Sequence, residues 1–142
     1  MATKNETLIY RWMEEVWNNG SEKAIDEMLD ANAVVHGIEG IDQPGPAGFK
    51  IFHHSFKEQF PSIHVEVDHV VTEGEYETAR CTVDGTTATG QAVHFTGMTC
   101  VRISNGKIIE GWNNFDFKTM YEQLGFKMTL AEGLSAQPIN SN

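Results

Sequence analysis

The hydrophobic periodicity of this chain changes once, near residue 62, and that change decides the class of fold. Before it, apolar residues recur every three or four positions, as in the run from Leu8 to Trp17, which is typical of amphipathic helices. After it, apolar and polar residues alternate from Ile63 to Val71, which is typical of strands with one buried face. We therefore predict an α+β domain in which helices precede an antiparallel sheet.

Turn and capping residues divide the two halves into elements. Asn18-Asn19-Gly20 ends a first helix over residues 3–18, and Pro61 ends a phenylalanine-rich third helix. Between them we expect a short second helix, a strand at 33–36 and a loop at 37–48 that is rich in glycine and proline. The second half predicts a meander of four strands, at 63–71, 76–83, 93–103 and 107–115.

The last strand and the residues after it form the most specific local unit. Asn105-Gly106 is typical of a tight hairpin turn, because both residues tolerate positive φ angles. Trp112, Asn114 and Asp116 alternate along the strand that follows, so they share a face if the strand is regular. Asp116 can also cap a final helix that ends at Gly125. Such a face could line a pocket.

Length and charge limit the function classes. A chain of 142 residues with 40% apolar content predicts one domain, at residues 1–128, followed by a loose tail at 129–142 that carries little signal. The formal net charge of −10 makes nucleic acid and an anionic membrane surface poor partners. The polar N-terminus and the absence of a long apolar run predict a cytoplasmic protein. Neither the cysteines nor the six histidines show metal-site spacing, so we predict no metal.

The order and spacing of several short motifs resemble the SnoaL-like polyketide cyclases, within the nuclear transport factor 2-like superfamily. The resemblance covers about residues 5 to 126. Its most specific part is the closing segment, where Gly106-Lys107-Ile108 is followed by Trp112, Asp116 and Gln123-Leu124-Gly125. Earlier motifs that fit the pattern are Trp17-Asn18, Val35-His36, Phe60-Pro61, Glu73-Gly74 before Arg80, and Gly90 before Val93 and Phe95.

This resemblance implies a cone-shaped fold with a strongly curved sheet, three N-terminal helices packed on it and a short closing helix. It also implies a homodimer with an apolar cavity that acts on polyketide-like carbonyl compounds by acid/base chemistry without a cofactor. Many relatives carry an aspartate after the tryptophan, where this chain has Asn113. An amide cannot exchange a proton as a carboxyl group can.

Three residues are the catalytic candidates. Asp116 could act as a general base if an apolar cavity raised its pKa, and its other role is to cap the last helix. His36 matches a histidine position frequent in the family and precedes the loop at 37–48. Asn114 could steady a developing negative charge. Asn113 and Asn114 occupy opposite faces of a regular strand, so only one of them can face a pocket.

Further residues are candidates for binding a small apolar substrate. His69 lies in the apolar register of its strand, and Arg80 lies on the neighbouring strand. A shift of one residue would reverse the strand face, so the sequence alone leaves their placement open. The complete set of predicted binding residues is Trp12, Phe56, His69, Arg80, Met98, Trp112 and Asn113.

Two hypotheses follow from these residues. The first is an enzyme, a cyclase or isomerase, that moves a proton on a small carbonyl compound with Asp116 or His36. The second is a non-catalytic module that binds a small ligand or serves mainly for dimerisation, and Asn113 in place of an acid favours it. An epoxide hydrolase fits less well, because Thr82 stands two residues after Arg80 where an aspartate is needed.

Overall fold

A computed structural model describes residues 3–127 of the chain. The tail predicted at 129–142 lies outside these residues. None of the helices in the described part is both long enough and apolar enough to span a bilayer. The helices, named in chain order, are α1 at Leu8–Trp12, α2 at Glu22–Met28, α3 at Gly45–Gln59 and α4 at Phe117–Gln123.

The periodicity predicts one regular helix over residues 3–18, but the structure has three helical segments there. A short 3-10 turn at Lys4–Glu6 precedes α1, and the hydroxyl of Thr7 caps α1 by accepting a hydrogen bond from the backbone of Tyr10. A π-helix at Met13–Asn18 then continues α1. The amide of Asn18 joins this π-helix to the sheet, because it both donates to the backbone carbonyl of Val65 and accepts from its N–H.

A buried histidine supports the π-helix from the other side. The Nε2 atom of His53, on α3, lies 2.7 Å from the backbone carbonyl of Val16. Since a carbonyl can only accept, Nε2 must carry the proton, and Nδ1 is then an acceptor without a partner among the described residues. Desolvation is the main cause that lowers the pKa of His53 from its ordinary value. His53 is therefore a neutral cap on the π-helix.

The sheet confirms the predicted meander and adds one strand to it. It is curved and unclosed, and the strand order is β1-β5-β4-β3-β2. The early strand, β1, pairs in parallel with β5, a partner that the sequence did not reveal, and the other pairs are antiparallel. The strands are β1 at Leu29–His36, β2 at Ser62–Glu73, β3 at Tyr76–Thr86, β4 at Ala92–Ser104 and β5 at Lys107–Phe115.

One irregularity in β2 reverses the expected faces of its second half. The β2–β3 register shifts between Val67 and His69, so that Asp68 is an extra residue in β2. The carboxylate of Asp68 accepts hydrogen bonds from the side chains of Arg80 and Thr82. As a result His69 lies opposite Arg80, on the outer face of the sheet. The expectation that His69 continues the apolar face is wrong.

The core lies between the helices and the concave face of the sheet. Its largest fully buried side chains include Phe60, Ile9, Ile25 and Met28. The helix α3 begins earlier than predicted, at Gly45, because Pro46 fits the first turn of a helix, where no N–H is needed. The fold is thus the predicted α+β cone, with α1, the π-helix and α3 lining its concave side.

Candidate functional site

The concave side of the sheet contains an apolar cavity. Among the described residues fourteen line this cavity, of which thirteen are aliphatic, aromatic or methionine and the remaining one is Asn113. The cavity volume is about 60 Å³, and the empty space is about 500 Å³ when the open mouth is included. We call it the outer cavity. It is lined by Trp12, Met13, Trp17, Ile38, Phe49, Phe52, Phe56, Ile63, Val65, Val83, Phe95, Asn113, Phe115 and Phe117.

Two fixed hydrogen bonds orient the amide of Asn113. Its Nδ2 donates to the backbone carbonyl of His36 at 3.0 Å, and its Oδ1 accepts from the hydroxyl of Thr99 at 2.9 Å. The reverse orientation would point Oδ1 at a carbonyl, where neither atom could donate. An asparagine side chain has two N–H donors and two acceptor lone pairs. Counting partners among residues 3–127, one donor and one lone pair therefore stay available to a ligand.

The loop that follows β1 packs closely against the backbone of Asn113. Gly37 has a φ angle of +83°, and a Cβ atom there would overlap the backbone carbonyl oxygen of Asn113. Only glycine permits both this conformation and this close approach. The next residue, Ile38, lines the outer cavity. The β1–α3 loop thus both holds Asn113 and forms part of the cavity wall.

Asp116 does not reach the cavity. It caps α4, since its carboxylate accepts from the backbone N–H of Thr119 at 3.0 Å and from the Thr119 hydroxyl at 2.7 Å. Both hydrogen bonds lower the pKa of Asp116 below its ordinary value, and the one from the Thr119 hydroxyl has the larger effect. The expectation that an apolar environment raises the pKa of this carboxyl is wrong, and the capping role is confirmed.

His36 points away from the cavity as well. Its Nε2 lies 2.7 Å from the carboxylate of Glu110, and its ring stacks on Trp112 with centroids 5.7 Å apart. Neither His36 nor Trp112 belongs to the lining of the outer cavity. Only the backbone carbonyl of His36 takes part in the site, through Asn113.

The remaining candidates lie together on the outer face of the sheet. Met98 is opposite both Arg80 and Asn114 in the ladders that β4 forms with β3 and β5. A shallow surface depression includes these three residues and Asp116. His69 is opposite Arg80 in the neighbouring ladder. None of these residues lines the outer cavity.

The structure therefore divides the predicted site residues between two faces. Trp12, Phe56 and Asn113 line the outer cavity. Of the two adjacent asparagines, Asn113 faces inward, and Asn114 lies on the outer face. Those on the outer face or at its edge are His36, His69, Arg80, Met98, Trp112, Asn114 and Asp116.

Sequence reasoning missed Thr99, which is 3% exposed and supports Asn113. A signal for it exists, because Thr99 is the one hydroxyl residue in the otherwise apolar register of Val93, Phe95, Gly97 and Val101 on β4. Cys81 offers no nucleophile, since it is fully buried and burial raises the pKa of its thiol to about 12.

Comparison with known proteins agrees with this architecture. A family model described as SnoaL-like polyketide cyclase matches residues 7–124. No curated protein matches the chain.

Several solved structures have the same fold. A candidate polyketide cyclase from Bacillus cereus ATCC 10987 is 29% identical, with a TM-score of 0.75, over 82% of this chain and 77% of that one. IdmH, a candidate polyketide cyclase from Streptomyces antibioticus, is 25% identical, with a TM-score of 0.69, over 82% and 95%. AclR from Streptomyces galilaeus, a candidate hydroxylase, is 20% identical, with a TM-score of 0.71, over 84% and 80%, and at that identity it supports the fold alone.

Proposed function

This chain belongs to the SnoaL-like polyketide cyclase family, and from that premise we propose that its cavity binds a small, polyketide-like carbonyl compound. The observation that carries the proposal is the lining of the outer cavity, which is apolar except for Asn113. Ligand sites of this kind are mostly apolar, and a few placed polar groups set the orientation of the ligand. The free N–H of Asn113 would donate to the carbonyl oxygen, and the aromatic walls would hold the hydrocarbon part.

The same hydrogen bond could support cyclase or isomerase chemistry. When an α-proton leaves a ketone, the electron pair moves onto the carbonyl oxygen, and the N–H of Asn113 would stabilise that enolate. In a ring closure the enolate carbon forms a bond to a second carbonyl carbon of the same molecule, and the oxygen of that second carbonyl takes up a proton. Within residues 3–127, none of the side chains that line the outer cavity titrates near neutral pH. Water would therefore accept and return the proton.

A second candidate function is binding without turnover. It is favoured by the amide at position 113, because an amide can anchor a carbonyl oxygen but cannot carry a proton. Both candidates share the same binding site. They differ in whether the bound ketone exchanges its α-protons.

Binding is tested with acetophenone and ethylbenzene, which differ mainly in the carbonyl group. Trp12 and Trp17 line the cavity, so binding should change tryptophan fluorescence. In Asn113→Leu we expect acetophenone to bind about fivefold more weakly, the equivalent of one hydrogen bond of about 1 kcal/mol. Ethylbenzene should bind that variant at least as well as the wild type.

Two controls accompany the binding test. Asn32→Leu changes an exposed amide on β1 and should leave both affinities unchanged. Thermal unfolding of Asn113→Leu shows whether the fold survives the loss of the hydrogen bonds to Thr99 and His36. Equal losses for acetophenone and ethylbenzene in the leucine variant would contradict the role of Asn113 as the carbonyl anchor.

Turnover is tested by deuterium exchange into the methyl group of acetophenone, followed by NMR in D₂O. An enzyme should accelerate the exchange, and Asn113→Leu should slow it by about a hundredfold, as the loss of one oxyanion donor does. Tight binding without any acceleration would support the non-catalytic candidate.

A further inference from the structure

A second, smaller cavity adjoins the outer one. Its volume is about 30 Å³, against about 60 Å³ for the outer cavity, and we call it the inner cavity. In the part of the chain that the structure describes, its only side chains with an oxygen or nitrogen hydrogen-bonding group are Thr99, Asn113 and the indole of Trp12. The inner cavity is lined by Ile9, Trp12, Leu29, Val35, Phe49, Thr99, Val101, Ile108, Gly111 and Asn113.

The two cavities share three lining residues, Trp12, Phe49 and Asn113. These residues therefore form the wall between them. Trp12 packs edge-to-face on Phe49, with ring centroids 4.9 Å apart, and it is only 6% exposed. Its indole is the largest side chain in the wall, so it decides how far a ligand in the outer cavity can extend inward.

Asn113 lies at the junction of the two cavities, where it can bind a carbonyl oxygen. A ketone held there would place one substituent in the outer cavity and direct the other toward the inner cavity. We propose that Trp12 is the residue that determines specificity, because it closes the inner cavity and restricts this second substituent to a methyl or similarly short group. The inference rests on the proposed function, and it names the substrate class more closely: aryl ketones with a short alkyl side.

The inner cavity is suited to an alkyl chain once the Trp12 side chain is replaced by a smaller one. Half of its lining residues are aliphatic, and burying one methylene group there should improve affinity about fourfold, from the usual gain of about 0.8 kcal/mol per methylene. The substitution Trp12→Phe removes part of the wall and keeps an aromatic ring against Phe49. It should therefore join the cavities with little disturbance of the core.

The first test measures the affinity of acetophenone, propiophenone, butyrophenone and hexanophenone by calorimetry. The wild type should bind acetophenone best and lose affinity as the chain grows. The affinity of Trp12→Phe should rise about fourfold with each added methylene group, from acetophenone to butyrophenone. Trp17→Phe, which changes an indole that lines only the outer cavity, should keep the chain-length preference of the wild type. The proposal is overturned if Trp12→Phe also keeps that preference.

The second test needs no ketone, so it separates failure of this inference from failure of the proposed function. Xenon enters small apolar cavities. Methyl NMR can follow Ile63 in the outer cavity and Ile108 in the inner one. The two signals should titrate with different xenon affinities in the wild type and with a single affinity in Trp12→Phe. If they already titrate together in the wild type, Trp12 does not separate the cavities.

Discussion

Asn113 shows how much of a site can depend on one side chain and its two partners. The backbone carbonyl of His36 requires a hydrogen-bond donor at this position, and the hydroxyl of Thr99 donates a hydrogen bond to Oδ1 of the amide. Both demands are met by a neutral amide. The sequence showed that only one of Asn113 and Asn114 can face a pocket, but it could not choose between them, because the choice depends on the exact register of β5.

Replacing Asn113 by aspartate tests this environment. To donate to the His36 carbonyl, the new carboxyl group must be protonated, so the fold should raise its pKa. The stability of Asn113→Asp relative to the wild type should therefore fall as the pH rises above about 4, where an unfolded aspartate ionises. We expect a loss of about 1–3 kcal/mol at pH 7. Urea unfolding of both proteins from pH 4 to 8 measures it, and a difference that stays constant with pH would contradict the prediction.

The buried imidazole of His53 should make stability depend on pH in the opposite direction. Its pKa is lowered in the folded state, mainly by desolvation, so the unfolded chain binds the proton more readily. The stabilisation is complete above the ordinary pKa of about 6.5 and is lost as the pH falls through the folded-state value.

We expect the wild type to lose thermal stability more steeply than His53→Gln between pH 7.5 and 5. Glutamine can still donate to the Val16 carbonyl but does not titrate. The exposed His54, next in sequence, serves as the matched control through His54→Gln, which should follow the wild-type curve. Parallel curves for the wild type and His53→Gln would show that His53 does not contribute.

At the scale of elements, the sequence predicted strands better than it predicted their irregularities. The Asn105-Gly106 turn, the four meander strands and the cap of α4 follow from local chemistry, and the structure confirms them. The extra residue at Asp68 could not be predicted, because the apolar alternation continues through His69 to Val71 as if β2 were regular. The partner of β1 could not be predicted either, because its parallel pairing with β5 joins residues that are far apart in the chain.

The β1–α3 loop offers a test at this scale. In Gly37→Ala, the methyl group must avoid the carbonyl of Asn113, and the residue must hold a φ angle of +83°. The positive φ angle alone should lower the free energy of unfolding by about 1–3 kcal/mol, and the overlap with the Asn113 carbonyl should make the total loss in Gly37→Ala larger than that. Gly40→Ala is the control for the positive φ angle alone, because no atom of the described residues lies within 4 Å of its added methyl group. Equal losses in the two variants would mean that the contact with Asn113 contributes nothing.

For the whole molecule, the outer face of the sheet carries most of the polar residues that the sequence had assigned to the site. It also exposes apolar side chains: Val71 is 67% exposed, Met98 51% and Tyr76 43%. Such a face is suited to contact with another protein. We propose that a second copy of the chain covers it, which agrees with the dimer that the family resemblance implies.

Sedimentation at micromolar concentration should then show a particle of about twice the 15.9 kDa chain mass. Met98→Glu places a charge in the centre of the face, opposite Arg80 and Asn114, and should shift the particle to the monomer. Ile51→Glu, which changes an exposed residue of α3, should leave it unchanged. A monomeric wild type would contradict the proposal.

The π-helix at Met13–Asn18 has a geometric consequence for the cavity. Trp12 and Trp17 are five residues apart, and in an α-helix, where each residue turns the chain by about 100°, their side chains would point about 140° apart. Hydrogen bonds between residues five apart widen the turn, so the angle between the two side chains becomes smaller than in an α-helix. Both rings can therefore line one cavity. Deleting a single residue between them would turn Trp17 out of the wall, so the length of this turn matters to the binding site as much as the identity of its aromatic residues.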